Sequence, residues 1–81
     1  MWLPANGTKE PCKWTVQEVY DFMSHCDGCS DLAEGFKSQE IDGQALMLIK
    51  EDHIIDILNT KLGPALKICR KIKELKEHFN Y

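Results

Sequence analysis

Ile41-Asp42-Gly43-Gln44-Ala45-Leu46-Met47-Leu48-Ile49, followed twelve residues on by Lys61-Leu62-Gly63-Pro64-Ala65-Leu66-Lys67-Ile68, decides the reading of this 81-residue chain. In the first segment Asp42 stands as an N-cap, so a short helix is expected through Leu48. In the second, Gly63-Pro64 opens a long final helix, because proline lacks only an amide that the first turn would leave unpaired and its fixed φ suits that turn. The two segments also mark a division of charge. Residues 61–81 carry six Lys/Arg against two Glu, net +4, whereas residues 1–60 carry four Lys against eleven Asp/Glu, net −7. A compact domain with opposite charge at two places fits a second copy of itself head to tail, so the pattern points to an interaction module before any enzyme.

Working outward, Thr15-Val16-Gln17-Glu18 reads as a capping box, with Trp14 and Val19 placed for a hydrophobic staple. The helix it starts is expected to run to about Ser24, burying Val16, Val19, Tyr20 and Met23 with Phe22 at the edge of the stripe. Asp27-Gly28 breaks it, and Ser30 or Asp31 caps a second helix carrying Leu32, Ala33 and Phe36 to about Gln39. Lys50 to Leu58 forms a fourth, whose dense Ile54, Ile55, Ile57 and Leu58 require burial on more than one side. The last helix is the longest, with Ala65, Ile68, Cys69, Ile72, Leu75 and Phe79 at three- and four-residue steps. No hairpin signal occurs. The expected fold is all-α, a small bundle of five helices with a long C-terminal one. Residues 1–12, with two of the three prolines and Asn6-Gly7, show no periodicity and read as a disordered leader or linker.

A chain of 81 residues is one domain, and its 43% hydrophobic and 28% charged residues are those of a globular one. The sequence pI near 5.5 opposes a general nucleic-acid binder while leaving room for a local basic patch. No apolar run approaches the ~20 residues of a membrane span, and Met1 to Cys12 lacks a signal-peptide core, so an intracellular chain is expected. Asn6-Gly7-Thr8 is then a turn rather than a glycosylation acceptor. The four cysteines are expected to be free thiols.

His25-Cys26-Asp27-Gly28-Cys29 contains the Cys-x-x-Cys half of a zinc site. Cys12, His53 and Cys69 would have to converge from a leader and two other helices to complete it, so an incidental pair of loop thiols is expected and no cofactor is assigned. A catalytic Cys/His pair would need an orienting acid, an oxyanion site and a substrate cavity, and neither His25 nor His53 has a sequence neighbourhood of that kind. No enzymatic activity is expected. Arg70, Lys71, Lys73 and Lys76 lie toward a helix C-terminus, where cations complement the macrodipole without any function; Lys61 and Lys67 sit at the N-terminal end, where the dipole opposes them.

These segments carry a family resemblance. Trp14-Thr15-Val16 with Glu18-Val19, Glu40-Ile41-Asp42-Gly43-Gln44-Ala45-Leu46 and Lys61-Leu62-Gly63-Pro64-Ala65-Leu66-Lys67-Ile68 together resemble a sterile alpha motif (SAM) domain over residues 13–79, leaving 80–81 as a C-terminal tail. The form of the last segment is most similar to the subgroup in Polycomb-group and malignant-brain-tumour-repeat chromatin proteins, of the polyhomeotic and sex-comb-on-midleg type. The resemblance implies pairing through two different surfaces. An acidic mid-loop surface would comprise Glu40, Gln44, Ala45, Glu51, Asp52 and Asp56, and an end-helix surface Lys61, Gly63, Pro64, Ala65, Lys67 and Arg70. Partners would be other SAM domains, homotypic in a head-to-tail polymer or heterotypic through one surface, in nuclear complexes that repress transcription. An RNA hairpin held by the basic start of the last helix is the alternative; no membrane or small-molecule partner is implied.

Overall fold

The fold is built from locally encoded helix starts closed over a shared core. The computed structural model describes Leu3 and residues 9–80; the Asn6-Gly7-Thr8 turn lies outside the described residues. A turn of 3-10 helix at Pro11–Lys13 precedes α1 (Val16–Ser24), a second at Ser30–Leu32 leads into α2 (Ala33–Ser38), and α3 (Gly43–Leu48), α4 (Glu51–Leu58) and α5 (Leu62–His78) follow. No strand occurs among the described residues. The 17 residues of α5 span ~25 Å at 1.5 Å per residue, most of the molecule's 32 Å long dimension.

Thr15 and Glu18 form the expected capping box. The Glu18 amide donates to Thr15 Oγ1 at 3.1 Å, and the Thr15 amide donates to Glu18 Oε1 at 2.8 Å. Asp42 caps α3 by accepting from the Ala45 amide at 3.0 Å. Between α1 and α2, Gly28 takes φ +79°, a conformation glycine adopts without strain. The α5 start differs from expectation by two residues: the helix begins at Leu62 with Lys61 as N-cap, so Pro64 falls at its third position rather than its first, where its missing amide is still one of those the first turn leaves unpaired.

The core joins all five helices through Trp14, Val19, Phe22, Met23, Cys29, Ala33, Phe36, Leu46, Ile54, Ala65, Ile68, Ile72 and Leu75. Phe22 is fully buried, with its ring centroid 5.4 Å from that of Trp14. It is a core residue rather than the edge of a stripe, and Val16 and Tyr20 are only partly buried. On α4 the expectation of burial on several sides is corrected. Ile54 alone is fully buried, Ile55 and Leu58 are half-buried, and Ile57 is 50% exposed.

The ordered body also begins before residue 13. Pro11 is buried, Trp14 Nε1 donates to the Lys9 carbonyl at 3.1 Å, and Lys9 Nζ reaches Glu18 Oε1 at 2.8 Å. Residues 9–12 therefore belong to the folded unit rather than to a leader. Gly43 explains why. Its amide donates to the Trp14 carbonyl at 2.9 Å, and a Cβ built on it would fall onto the Pro11 carbonyl oxygen. The start of α3 and the turn at 11–13 meet backbone to backbone, which only glycine permits.

Candidate protein-protein interface

Two exposed apolar patches lie on opposite-charged parts of the molecule. On the first, α3 and α4 enclose a shallow groove of about 270 Å³ lined by Ile41, Ala45, Leu48, Ile49, His53 and Ile57. Leu48 is 74% exposed, because a six-residue helix that turns Leu46 into the core has no second layer to cover the other side. On α4, His53 and Ile57 are one turn apart and form one stripe; Asp52 and Asp56, also one turn apart, form the next stripe over. Both aspartates are exposed. The groove thus has an apolar floor and an acidic flank.

Among the expected mid-loop residues, Ala45 lines the groove and Gln44 stands exposed beside it on α3. Glu40 is exposed in the α2–α3 connection, with φ +55°. Glu51 lies near Cys69 of α5, whose thiol it helps push above its ordinary range after burial, the larger cause. It belongs to the side of α4 facing α5 rather than to the groove.

The second patch is the start of α5. Leu62 and Leu66, one turn apart, are 55% and 48% exposed, because the buried stripe of this helix runs through Ala65, Ile68, Ile72 and Leu75 and leaves them outside. Lys61, Gly63, Pro64 and Lys67 are exposed around them. Lys61 offers no side-chain acceptor, so first-turn amides point outward with the positive end of the helix dipole. A Cβ on Gly63 would meet nothing within 4 Å, so the surface there is open. The stem of Lys67 lies over the α1–α2 turn, with its Cδ 3.5 Å from where a Cβ of Gly28 would sit. Arg70 is tied to Glu74 at 3.2 Å, with Lys71 at 3.7 Å from the same carboxylate.

Ala65 does not belong to this surface. It is 0% exposed and part of the core, because the three- and four-residue steps that make α5 amphipathic turn it inward. Reasoning from the sequence had counted it in both roles, and it missed Leu48, Ile57, Leu62 and Leu66. The signal for Leu62 and Leu66 was present, since both fall off the Ala65-Ile68-Ile72-Leu75 spacing.

Cys26, Cys29 and Cys69 are free thiols. Burial pushes Cys26 up to about 11, with Cys29 beside it adding to the shift, and burial likewise raises Cys29. Both are protonated at neutral pH, so neither is an activated nucleophile.

An all-helical bundle with a long last helix, an apolar groove with an acidic flank and a basic apolar helix start agrees with one family model: the SAM domain (sterile alpha motif) model matches residues 13–76. The chain belongs to the SAM domain family. As a SAM domain it is 57% identical over 74 residues to polyhomeotic-like protein 1 of Homo sapiens, covering 91% of this chain and 7% of that protein. It thus spans under a tenth of the length of that relative. Among solved structures it superposes on a polyhomeotic SAM domain with TM-score 0.78 and 43% identity, over 84% of this chain and 97% of that one. It also matches a hetero SAM domain structure of Ph and Scm, with TM-score 0.72 and 44% identity over 79% and 97% of the two chains. This SAM domain is of the Polycomb type.

Proposed function

We propose that this SAM domain is an association module in which the start of α5 from one molecule seats Leu62 and Leu66 in the α3–α4 groove of another SAM domain, while Lys61 and Lys67 face Asp52 and Asp56. The observation that carries the reading is the pairing of chemistry: each of two separate surfaces exposes a pair of large aliphatic side chains, one flanked by carboxylates and the other by ammonium groups and open amides. Apolar contact then supplies the attraction and charge sets the partner and the direction. Because the surfaces differ, every contact leaves one of each kind free, and the product grows head to tail. Gln44, Ala45 and Glu40 border the receiving side; Gly63, Pro64 and Arg70 border the inserting side.

The partner is a second copy or a related SAM domain, as in the Ph and Scm hetero structure. The role is interaction rather than catalysis. The likeness to polyhomeotic-type proteins supports a nuclear setting in transcriptional repression on chromatin, where a polymer lends avidity to the proteins that carry it. An RNA hairpin is disfavoured, since Arg70 and Lys71 are engaged by Glu74 and no Phe, Tyr or Trp among the described residues is exposed for base stacking.

The test is the mass of the chain by light scattering over a concentration series. Growth without a plateau that retreats at about 1 M salt, where the Debye length is ~3 Å, is expected. A constant mass of 9.3 kDa at every concentration would reject self-association and leave only heterotypic pairing.

A further inference from the structure

We infer that His53 is a positioning residue of the receiving surface and that it serves only as the neutral imidazole; this deepens the association reading and rests on it. Helix α4 begins with Lys50 as N-cap, and a lysine side chain has no acceptor to offer the first turn. The side-chain bond at this end is instead the return half of a capping box: the Lys50 amide donates to His53 Nδ1 at 3.1 Å. A ring nitrogen that accepts carries no proton, so the ring proton sits on Nε2. The same ring forms part of the groove wall beside Ala45, Leu48 and Ile57. One side chain therefore fixes the first turn of α4 and shapes the pocket that receives the partner's leucines.

The surroundings set the sign of the effect. On α4 the charged neighbours of His53 are Lys50, Glu51, Asp52 and Asp56; the groove residues on and beside α3, Ile41, Ala45, Leu48 and Ile49, carry no charge. From α5, packed on the other side of α4, Cys69 lies near Glu51 and is a neutral thiol. A proton on Nδ1 would set two donors against each other at the Lys50 amide and put a cation in the first turn of a helix, where the dipole opposes it. It would also cancel part of the acidic charge that faces Lys61 and Lys67. All three consequences act against association. A proton on His53 therefore weakens binding, and the complex is expected to be tighter at neutral than at acidic pH.

The experiment uses two variants of the 81-residue chain that each keep one surface. A Lys67→Glu chain, which retains the groove and His53, is titrated calorimetrically with an Ile57→Asp chain, which retains the α5 start, at pH 7.5 and pH 5.5. Imidazoles gain a proton across this interval while most carboxylates keep their charge. The comparison is the ratio of the two affinities within each chain, repeated with His53→Gln added to the Lys67→Glu chain, since glutamine can accept from the Lys50 amide and does not titrate. An affinity about five-fold weaker at pH 5.5 with His53, in line with loss of one cap, and a ratio near one with His53→Gln are expected. The Lys50 amide resonance of the Lys67→Glu chain alone is expected to shift over the same interval and to stay put in the His53→Gln form. Equal pH loss in both chains, a pH-indifferent complex, or an unmoved Lys50 amide would overturn the inference while leaving the association reading intact. No complex at pH 7.5 would overturn the association reading, and this inference with it.

Discussion

Gly43 and Ala65 show how tightly single positions are constrained in so small a domain. A methyl group at Gly43 has nowhere to go: backbone oxygen of Pro11 occupies its place and the Trp14 nitrogen lies 2.7 Å away, and backbone cannot step aside as a side-chain tip can. Gly43→Ala is expected to cost about 3 kcal/mol or more, lowering Tm by about 12 °C or more for a domain of this size, as thermal melting by circular dichroism will show. Ala65 is as confined from the other side, being wholly inside the core. Ala65→Glu buries an unpaired carboxylate and should abolish the cooperative melt, whereas Lys67→Glu, on an exposed position, should melt with the native chain and lose only association. A folded Ala65→Glu chain would contradict the core assignment. Ala65 carried both readings, since the family resemblance implied a surface position and the spacing to Ile68 and Ile72 a core one. The spacing was the physically stronger signal, because it fixes the helix face by geometry.

The starts of α1 and α3 were the most legible elements, because a cap is decided by three or four consecutive residues; that of α2 was not, since it begins at Ala33 after a 3-10 turn and neither Ser30 nor Asp31 caps it. Thr15 with Glu18 and Asp42 both cap as their side chains dictate. The segment ahead of α1 was not legible. Pro11-Cys12-Lys13 is one turn of 3-10 helix, too short to show a period, and what fixes it is Gly43, thirty-two residues beyond Pro11 in sequence. Its worth can be read from acid stability. The Lys9 ammonium first, and the Thr15 amide second, hold the Glu18 carboxyl below its ordinary range. A carboxyl lowered on folding contributes stability that is present above its unfolded value, about 4.3, and lost as pH falls through the folded one. Lys9→Ala is therefore expected to lower Tm slightly at pH 7, where the contribution is fully present, and to leave it unchanged once pH has fallen through the titration of Glu18. An unmoved Tm at pH 7 would mean that the Lys9–Glu18 pair adds nothing to the fold. The effect is small because the pair is partly exposed.

At the scale of the molecule, charge was visible in the sequence and apolar complementarity was not. The net +4 of residues 61–81 against the net −7 of residues 1–60 follows from counting. That Leu48 and Ile57 meet in one groove, and that Leu62 and Leu66 are left uncovered, follows only from how five helices share one core. Dense apolar sequence in α4 suggested burial on more than one side; the bundle is too small to provide it, and the remainder faces outward.

The central claim is that the two surfaces are different and complementary, and the most direct test is to disable one in each of two chains. Lys67→Glu and Ile57→Asp, examined separately by sedimentation equilibrium, should each remain at the 9.3 kDa of a single chain. Mixed in equal amounts they should form one species of twice that mass and no larger, since each retains the surface the other has lost. Polymers from either variant alone, or a mixture that stays monomeric at concentrations where the unaltered chain polymerises, would contradict the assignment of these two surfaces.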